Sequence, residues 1–225
     1  MQEKIINNQD ALDALLKKDF SFFVEKSFHE LTGGATLKQN FHIDVICDQL
    51  NKVKEDEIKR LIINIAPRQM KSKIVSVAFP AFLLGHDPSV EIMCVSYNSS
   101  LAEDFGFETM KVMESKWYQR IFPKTILDPK KKSKGDFKTT VGGCRFASGI
   151  DGTITGRGAD YIIIDDPIKA EDANSETAIN KVNNWFDSSL NSRLNNPNEG
   201  KIIVVMQRLN ENDLTGYLIN EKGDY

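Results

Sequence analysis

The sequence predicts an α/β fold with a mostly parallel central sheet flanked by helices, and three observations carry that expectation. Residues 60–65 are an apolar, β-branched run that ends in a short polar loop closed by Lys71-Ser72, ahead of another apolar run. Residues 161–164 are a second continuous apolar run, closed by Asp165-Asp166-Pro167. Residues 201–206 are a third, followed by Gln207-Arg208. Continuous rather than alternating apolar strands suit a sheet covered on both faces. In such sheets the ligand site lies outside the carboxyl ends of the strands, where all three runs turn polar.

An N-terminal helical segment is expected over residues 1–54, ahead of the α/β core over 55–225. Asp10 and Asp19 are placed to cap helices, and Gly33-Gly34 to stop one. Ile43, Ile46, Leu50 and Val53 recur at helical spacing and face a core. Phe41 and His42 stand just before the first strand, where nucleotide-binding folds often hold an adenine base. A helix start packing on the core is the plainer assignment for both.

The first strand leads into Pro67-Arg68-Gln69-Met70-Lys71-Ser72-Lys73, the candidate nucleotide-binding stretch. A strand, a loop ending in Lys-Ser and a helix is the layout of a phosphate-binding loop. The helix start offers unpaired N–H groups and positive dipole character to an anion. Lys71 is then positioned for the β- and γ-phosphates and the Ser72 hydroxyl for Mg²⁺. Ile65 and Met70 occupy the two positions where the usual pattern has glycine, so Met70 must turn its side chain away from a nucleotide. The competing assignment is a basic cap where a strand turns into a surface helix.

Residues 74–84 predict a buried helix that Pro80 kinks or ends. Residues 91–97 predict a buried strand. Asn98 then caps a helix that carries Leu101, Ala102, Phe105, Val112 and Met113 inward. The run Lys130-Lys131-Lys132-Ser133-Lys134-Gly135 is dense in positive charge and could touch a phosphate backbone, though a solvated loop is the plainer reading. Residues 139–150 suggest a hairpin around Gly142-Gly143. Gly149, Gly152, Gly156 and Gly158 follow in a loop that carries Thr155 and Arg157. Asp165, at the end of the second apolar strand, is placed to hold Mg²⁺ opposite Ser72, and Asp166 to orient or deprotonate an attacking water. A pair of carboxylates capping a turn before Pro167 is the alternative. Residues 175–194 predict a helix with Ile179, Val182, Trp185, Phe186 and Leu190 inward. Gln207 is a candidate sensor of the terminal phosphate.

Composition narrows the class. The chain has 225 residues and a net charge of −3, with a pI near 5.7, so bulk charge does not point to nucleic acid. Cys47, Cys94 and Cys144 are far apart and odd in number, and form neither a disulfide framework nor a zinc pattern. His29, His42 and His86 are equally scattered. Residues 1–10 carry no signal-peptide core, and the longest apolar run is too short to span a bilayer. The expectation is a cytoplasmic protein.

Four segments in one order resemble the large terminase subunit of tailed bacteriophages. They are Ala66-Pro67-Arg68-Gln69-Met70-Lys71-Ser72, Thr155-Gly156-Arg157-Gly158-Ala159-Asp160, Ile164-Asp165-Asp166-Pro167, and Met206-Gln207-Arg208-Leu209-Asn210-Glu211-Asn212-Asp213-Leu214-Thr215-Gly216. Ser115-Lys116-Trp117-Tyr118-Gln119 and Ser192-Arg193-Leu194-Asn195 look similar as well. The resemblance implies a P-loop ATPase of the additional-strand type, using ATP and Mg²⁺ to drive double-stranded DNA into a procapsid. It further implies the small terminase subunit and the portal protein as partners, a homo-oligomeric ring, and the cytoplasm of a bacterial host. Carried over, Lys71 and Ser72 bind phosphate and Mg²⁺, Asp165 is the Walker B aspartate, and Arg68 stabilises transition-state charge. The segment at Gln207-Arg208 couples hydrolysis to movement.

Many of these proteins have glutamate where this chain has Asp166, which makes Glu171 a second candidate base. Arg157 and Arg193 are candidates for an arginine offered to a neighbouring copy. The chain stops at Tyr225, just past the coupling segment, so the expectation is an ATPase domain without a nuclease. Two other readings compete. One is an inactive prophage remnant that at most binds nucleotide or partner proteins. The other is a different P-loop translocase or helicase, against which the segment from Leu209 to Gly216 argues.

Overall fold

The computed structural model describes residues 8–152, 154 and 156–223. The apolar runs at 60–65, 161–164 and 201–206 become strands of one seven-stranded sheet among the described residues. The strands are β1 (Arg60–Asn64), β2 (Glu91–Ser96), β3 (Leu127–Lys132), β4 (Asp136–Thr139), β5 (Cys144–Gly149), β6 (Tyr161–Asp165) and β7 (Lys201–Met206). Their order is β1-β7-β6-β2-β5-β4-β3. The first five are parallel, and β4 and β3 add an antiparallel edge. All residues of β6 and β7 are buried, as strands with helices on both faces must be. β7 lies between β1 and β6, the additional strand between the Lys-Ser loop strand and the acidic strand.

Among the described residues eight α-helices cover the sheet: α1 (Asn8–Lys18), α2 (Phe20–Leu31), α3 (Phe41–Lys54), α4 (Phe79–His86), α5 (Ser99–Glu114), α6 (Lys116–Ile121), α7 (Glu176–Trp185) and α8 (Leu214–Glu221). Strand periodicity assigns them to faces. Ile92, Cys94, Tyr161, Ile163, Ile203 and Val205 join a core with residues of α1–α6. Met93, Val95, Ile162, Ile164, Ile202 and Val204 join a second core with residues of α7 and α8. Among the described residues no helix is long and apolar enough to cross a membrane, and all three cysteines are free and buried.

Local chemistry explains most element ends and corrects several expectations. Asp19 caps α2 by accepting from the Ser21 N–H at 2.9 Å, but Asp10 lies inside the first turn of α1 rather than at its cap. Asn40 caps α3, whose inward face is Ile43, Ile46, Leu50 and Val53 as the spacing required. Phe41 starts that helix at 76% exposure and so does not pack on the core. Asn98 caps α5 through the Leu101 N–H at 2.9 Å. The basic run is not a loop: Lys130, Lys131 and Lys132 lie in β3, the outer strand of the sheet. Lysines there discourage pairing with another sheet edge. The hairpin around Gly142-Gly143 forms between β4 and β5, with Gly142 at φ 107°. Ser175 caps α7, but the helix ends at Trp185 and continues as a π-helical turn, Phe186–Leu190, and a 3₁₀ turn, Asn191–Arg193. Thr155 lies outside the described residues.

Pro80 does not end its helix. The chain is helical from Lys71 to His86, with a π-helical turn at Lys73–Ala78 and Pro80 in the first turn of α4. A proline at position 80 has no N–H to give the Ser76 carbonyl. The buried Arg145 of β5 supplies a donor instead, with Nη2 at 3.1 Å from that oxygen. Gly106 of α5 makes room for this arginine. A Cβ there would lie 2.6 Å from Arg145 Nη1 and would collide with the Lys134 carbonyl oxygen. Gly106→Ala is therefore expected to destabilise the fold by roughly 1–3 kcal/mol, read as a lower urea midpoint at unchanged slope. An unchanged midpoint would contradict this packing.

Candidate phosphate-binding site

β1 delivers the chain to the loop, and the Ile65 N–H donates to the Met206 carbonyl at 3.2 Å, tying the loop entrance to β7. Within the loop Arg68 and Met70 have φ of 62° and 65°. That left-handed region favours glycine and costs other residues about 1 kcal/mol or more. Met70 therefore adopts a glycine conformation at the position where a phosphate loop has its second glycine. Its side chain is half-buried and turned toward α2. There it lines a cavity of about 90 Å³ with Phe28, Leu31, Lys73 and Glu108. Core packing holds the strained backbone, and the loop crest stays open. Pro67, Arg68 and Gln69 are exposed on that crest.

Lys71 opens the helix and is only 5% exposed. Its ammonium makes an ion pair with Asp166 Oδ2, a contact of charge in which no oriented hydrogen bond forms. A cation so deeply placed, with unspent donors, is the feature a phosphate would satisfy. Ser72 Oγ donates to Asp165 Oδ1 at 3.1 Å. One turn on, Ser76 Oγ donates to Asp165 Oδ2 at 2.5 Å. Burial pushes the Asp165 carboxyl up to about 6, and the neighbouring Asp166 charge adds to the rise. The hydrogen bonds from Ser76 and Ser72 and the charge of Lys71 pull the other way.

Asp166 is fixed by its backbone at φ 44°. Its N–H donates to the Val205 carbonyl at 2.9 Å, and its carbonyl accepts from the Tyr97 N–H at 3.1 Å. Its Oδ1 accepts from the Gln207 N–H at 3.2 Å. One carboxylate thus touches both the loop lysine and the first residue after β7.

Lys73 turns its ammonium to Glu108 of α5, away from Asp165. Glu171 sits in an exposed 3₁₀ turn, Ala170–Asp172, and pairs with Lys169 at 3.3 Å. The structure does not bring it to the site. Arg157 pairs with Asp136 at 2.8 Å and lies over the Phe146 ring at 4.0 Å. The Arg193 carbonyl accepts from the Ala159 N–H at 2.9 Å, ahead of β6. Arg157 thus lies at mid-strand height on β5 and the Arg193 backbone at the entrance of β6, and neither makes a contact with the Lys71 loop.

The segment from Gln207 to Gly216 folds around Asp213, which is 2% exposed. Its carboxylate caps α8 through the Gly216 N–H at 3.1 Å and pairs with Arg208 Nε at 3.1 Å. It also accepts from the Leu209 N–H at 3.2 Å and the Asn210 N–H at 3.4 Å. Thr215 Oγ1 donates to Asn64 Oδ1 at 3.2 Å, at the last residue of β1. That bond ties the segment to the strand that leads into the loop.

Sequence reasoning missed Ser76, Glu108, Arg145 and Asp213. Ser76 carried one usable signal, its place four residues after Ser72 on the same helix face.

The donor set fits a small hard cation. A serine hydroxyl and a carboxylate are oxygen ligands of the kind Mg²⁺ takes, with phosphate and water completing its shell. Ser96, opposite Asp165 in register at the end of β2, has a buried hydroxyl without a partner, so a further oxygen is at hand on the same sheet face. Among the described residues no group of three or more His, Cys, Asp or Glu side chains could hold a metal alone. A cation here would need further oxygen ligands from a bound molecule or water.

No family model and no curated protein matches the chain. Among solved structures, the large terminase of bacteriophage HK97 matches with a TM-score of 0.56 over 91% of this chain, at 15% identity. The chain spans 40% of that terminase's length. The likeness is one of fold: a mixed α/β architecture of terminase type, with a mostly parallel seven-stranded sheet between helices.

Proposed function

We propose that this chain is the ATP-hydrolysing domain of a terminase-type DNA-packaging motor. The observation that carries the proposal is the position of Asp166. It sits in the phosphate loop's reach and in the coupling segment's reach at once, paired with Lys71 and bonded to the Gln207 N–H. Lys71 can hold Asp166 or a terminal phosphate, but one ammonium cannot serve both fully. Phosphate binding takes Lys71 and releases the Asp166 carboxylate, which then accepts a proton from the attacking water. The same exchange changes the partner of the Gln207 N–H, where β7 enters the coupling segment. Ser72 and Asp165 would hold Mg²⁺, which would supply positive charge against the charge that develops on the transferred phosphate. Arg68, exposed at the loop crest, would serve the outer phosphate oxygens. Under this reading double-stranded DNA is the translocated polymer, the portal protein and small subunit are the partners, and a ring of copies is the working unit.

A second reading, a domain that binds nucleotide without turning it over, draws on the same contact. An Asp166 that never leaves Lys71 would block the loop. The two are separated by Asp166→Asn and Glu171→Gln, each assayed for ATP binding and for phosphate release. The proposal expects Asp166→Asn to keep ATP binding and lose about 100-fold or more in turnover. Glu171→Gln should stay within about twofold of wild type, since its carboxylate is exposed and paired elsewhere. The reverse pattern would remove Asp166 from the role of base.

A further inference from the structure

Among the described residues Arg145 is the largest fully buried side chain, and the loop chemistry above leaves it without a task. It enters from β5 and reaches two elements at once. Nη2 donates to the Ser76 carbonyl at 3.1 Å, and Nη1 to the Ala102 carbonyl of α5 at 3.3 Å, while Nε has no partner. A buried guanidinium without a directly bonded carboxylate is costly, and a fold keeps one only where its charge or its geometry is used. Three features distant in sequence converge to seat it. Pro80 leaves the Ser76 carbonyl without its helical donor, the π-helical turn Lys73–Ala78 widens the backbone there, and Gly106 leaves the space. The residue it grips is the one whose hydroxyl holds Asp165 Oδ2 at 2.5 Å.

We propose that Arg145 is a positioning residue for the cation site: by fixing the Ser76 backbone it aims the Ser76 hydroxyl at Asp165 Oδ2 and so keeps Oδ1 turned to Ser72. The inference rests on the ATPase reading and deepens it. Ser72 and Asp165 are the groups toward the cation, Ser76 orients Asp165, and Arg145 orients Ser76. Outer partners of this kind typically change metal affinity by about 10–100-fold when removed.

The test is ADP affinity by calorimetry, with and without Mg²⁺, for wild type, Ser76→Ala, Ser76→Thr and Arg145→Met. The expected result is that Mg²⁺ strengthens ADP binding in wild type. That gain should shrink by about tenfold in Ser76→Ala and Arg145→Met while Mg²⁺-free ADP affinity holds within about twofold. Ser76→Thr, which keeps the hydroxyl, restores the gain, and the double variant is no worse than the weaker single one. Where Arg145→Met fails to fold, Arg145→Lys replaces it, since an ammonium cannot span both carbonyls; a full Mg²⁺ gain there overturns the inference. An equal fall with and without Mg²⁺ in the variants also overturns it, because that is loss of structure. A wild type with no Lys71-dependent ADP binding overturns the ATPase reading and this inference together. A wild-type gain that survives in the variants overturns only the role of Arg145.

Discussion

Lys71→Ala is expected to abolish ATP binding at millimolar nucleotide and to lower any turnover by about 1,000-fold or more. The reason is depth as well as charge. At 5% exposure the ammonium works in a partly water-excluded site, where a charge interacts more strongly than at the surface. Its pairing with Asp166 also holds it aimed at the loop in the absence of ligand, so little ordering remains to be done when phosphate arrives. Lys73→Ala is the matched control, because its ammonium already faces Glu108. Equilibrium binding of a fluorescent ATP analogue to both variants checks the pair. Equal loss in the two would mean that general positive charge, rather than the Lys71 position, holds the nucleotide.

The second large effect has opposite signs in two assays. Asp165→Asn should remove the Mg²⁺ dependence of nucleotide binding, yet stabilise the ligand-free protein near pH 8. Burial raises the Asp165 carboxyl to about 6 in the folded chain, whereas an unfolded aspartate titrates near 3.9. A raised carboxyl favours the folded state fully only below the unfolded value. That advantage is lost as the pH climbs from about 4 to about 6, and above 6 the folded protein carries a buried charge that unfolding would relieve. The shift corresponds to about 3 kcal/mol at most. Asparagine carries no such charge, so its stabilising effect is full at pH 8 and fades toward pH 4. Denaturant melts of both proteins at pH 4.5 and pH 8 check this. A variant less stable than wild type at pH 8 would mean that the Ser72 and Ser76 hydrogen bonds outweigh the desolvation of the charge.

The strands and their chemistry were legible because each signal was local. Continuous apolar runs at 161–164 and 201–206 admit little but a covered strand, and Asp165-Asp166 and Gln207-Arg208 stand at their ends, as the loop closed by Lys71-Ser72 follows the run at 60–65. The strand between that loop and Asp165-Asp166, the caps Asp19 and Asn98, and the inward turn of Met70 followed from short-range rules. What escaped depends on residues far apart. Ser76 reads as a small residue in an apolar helix, and only the approach of β6 makes it a partner of Asp165. Arg145 reads as the polar position of a hairpin strand. Its burial is decided by Pro80 and Gly106, 65 and 39 positions earlier in the sequence. The lysine run at 130–132 has the composition of a loop, but the pairing of β3 with β4 makes it a strand. Phe41 went the other way, since helix periodicity cannot tell which apolar residue is left at the rim.

The central claim is that Lys71, Ser72, Asp165 and Asp166 form one hydrolytic site rather than a turn capped by charges. Phosphate release from Mg²⁺-ATP by the purified chain, with and without double-stranded DNA, tests it most directly. The account predicts turnover that DNA raises and that Lys71→Ala and Asp165→Ala each abolish. Neither ATP binding nor turnover, in a chain shown by its melting transition to be folded, would contradict it.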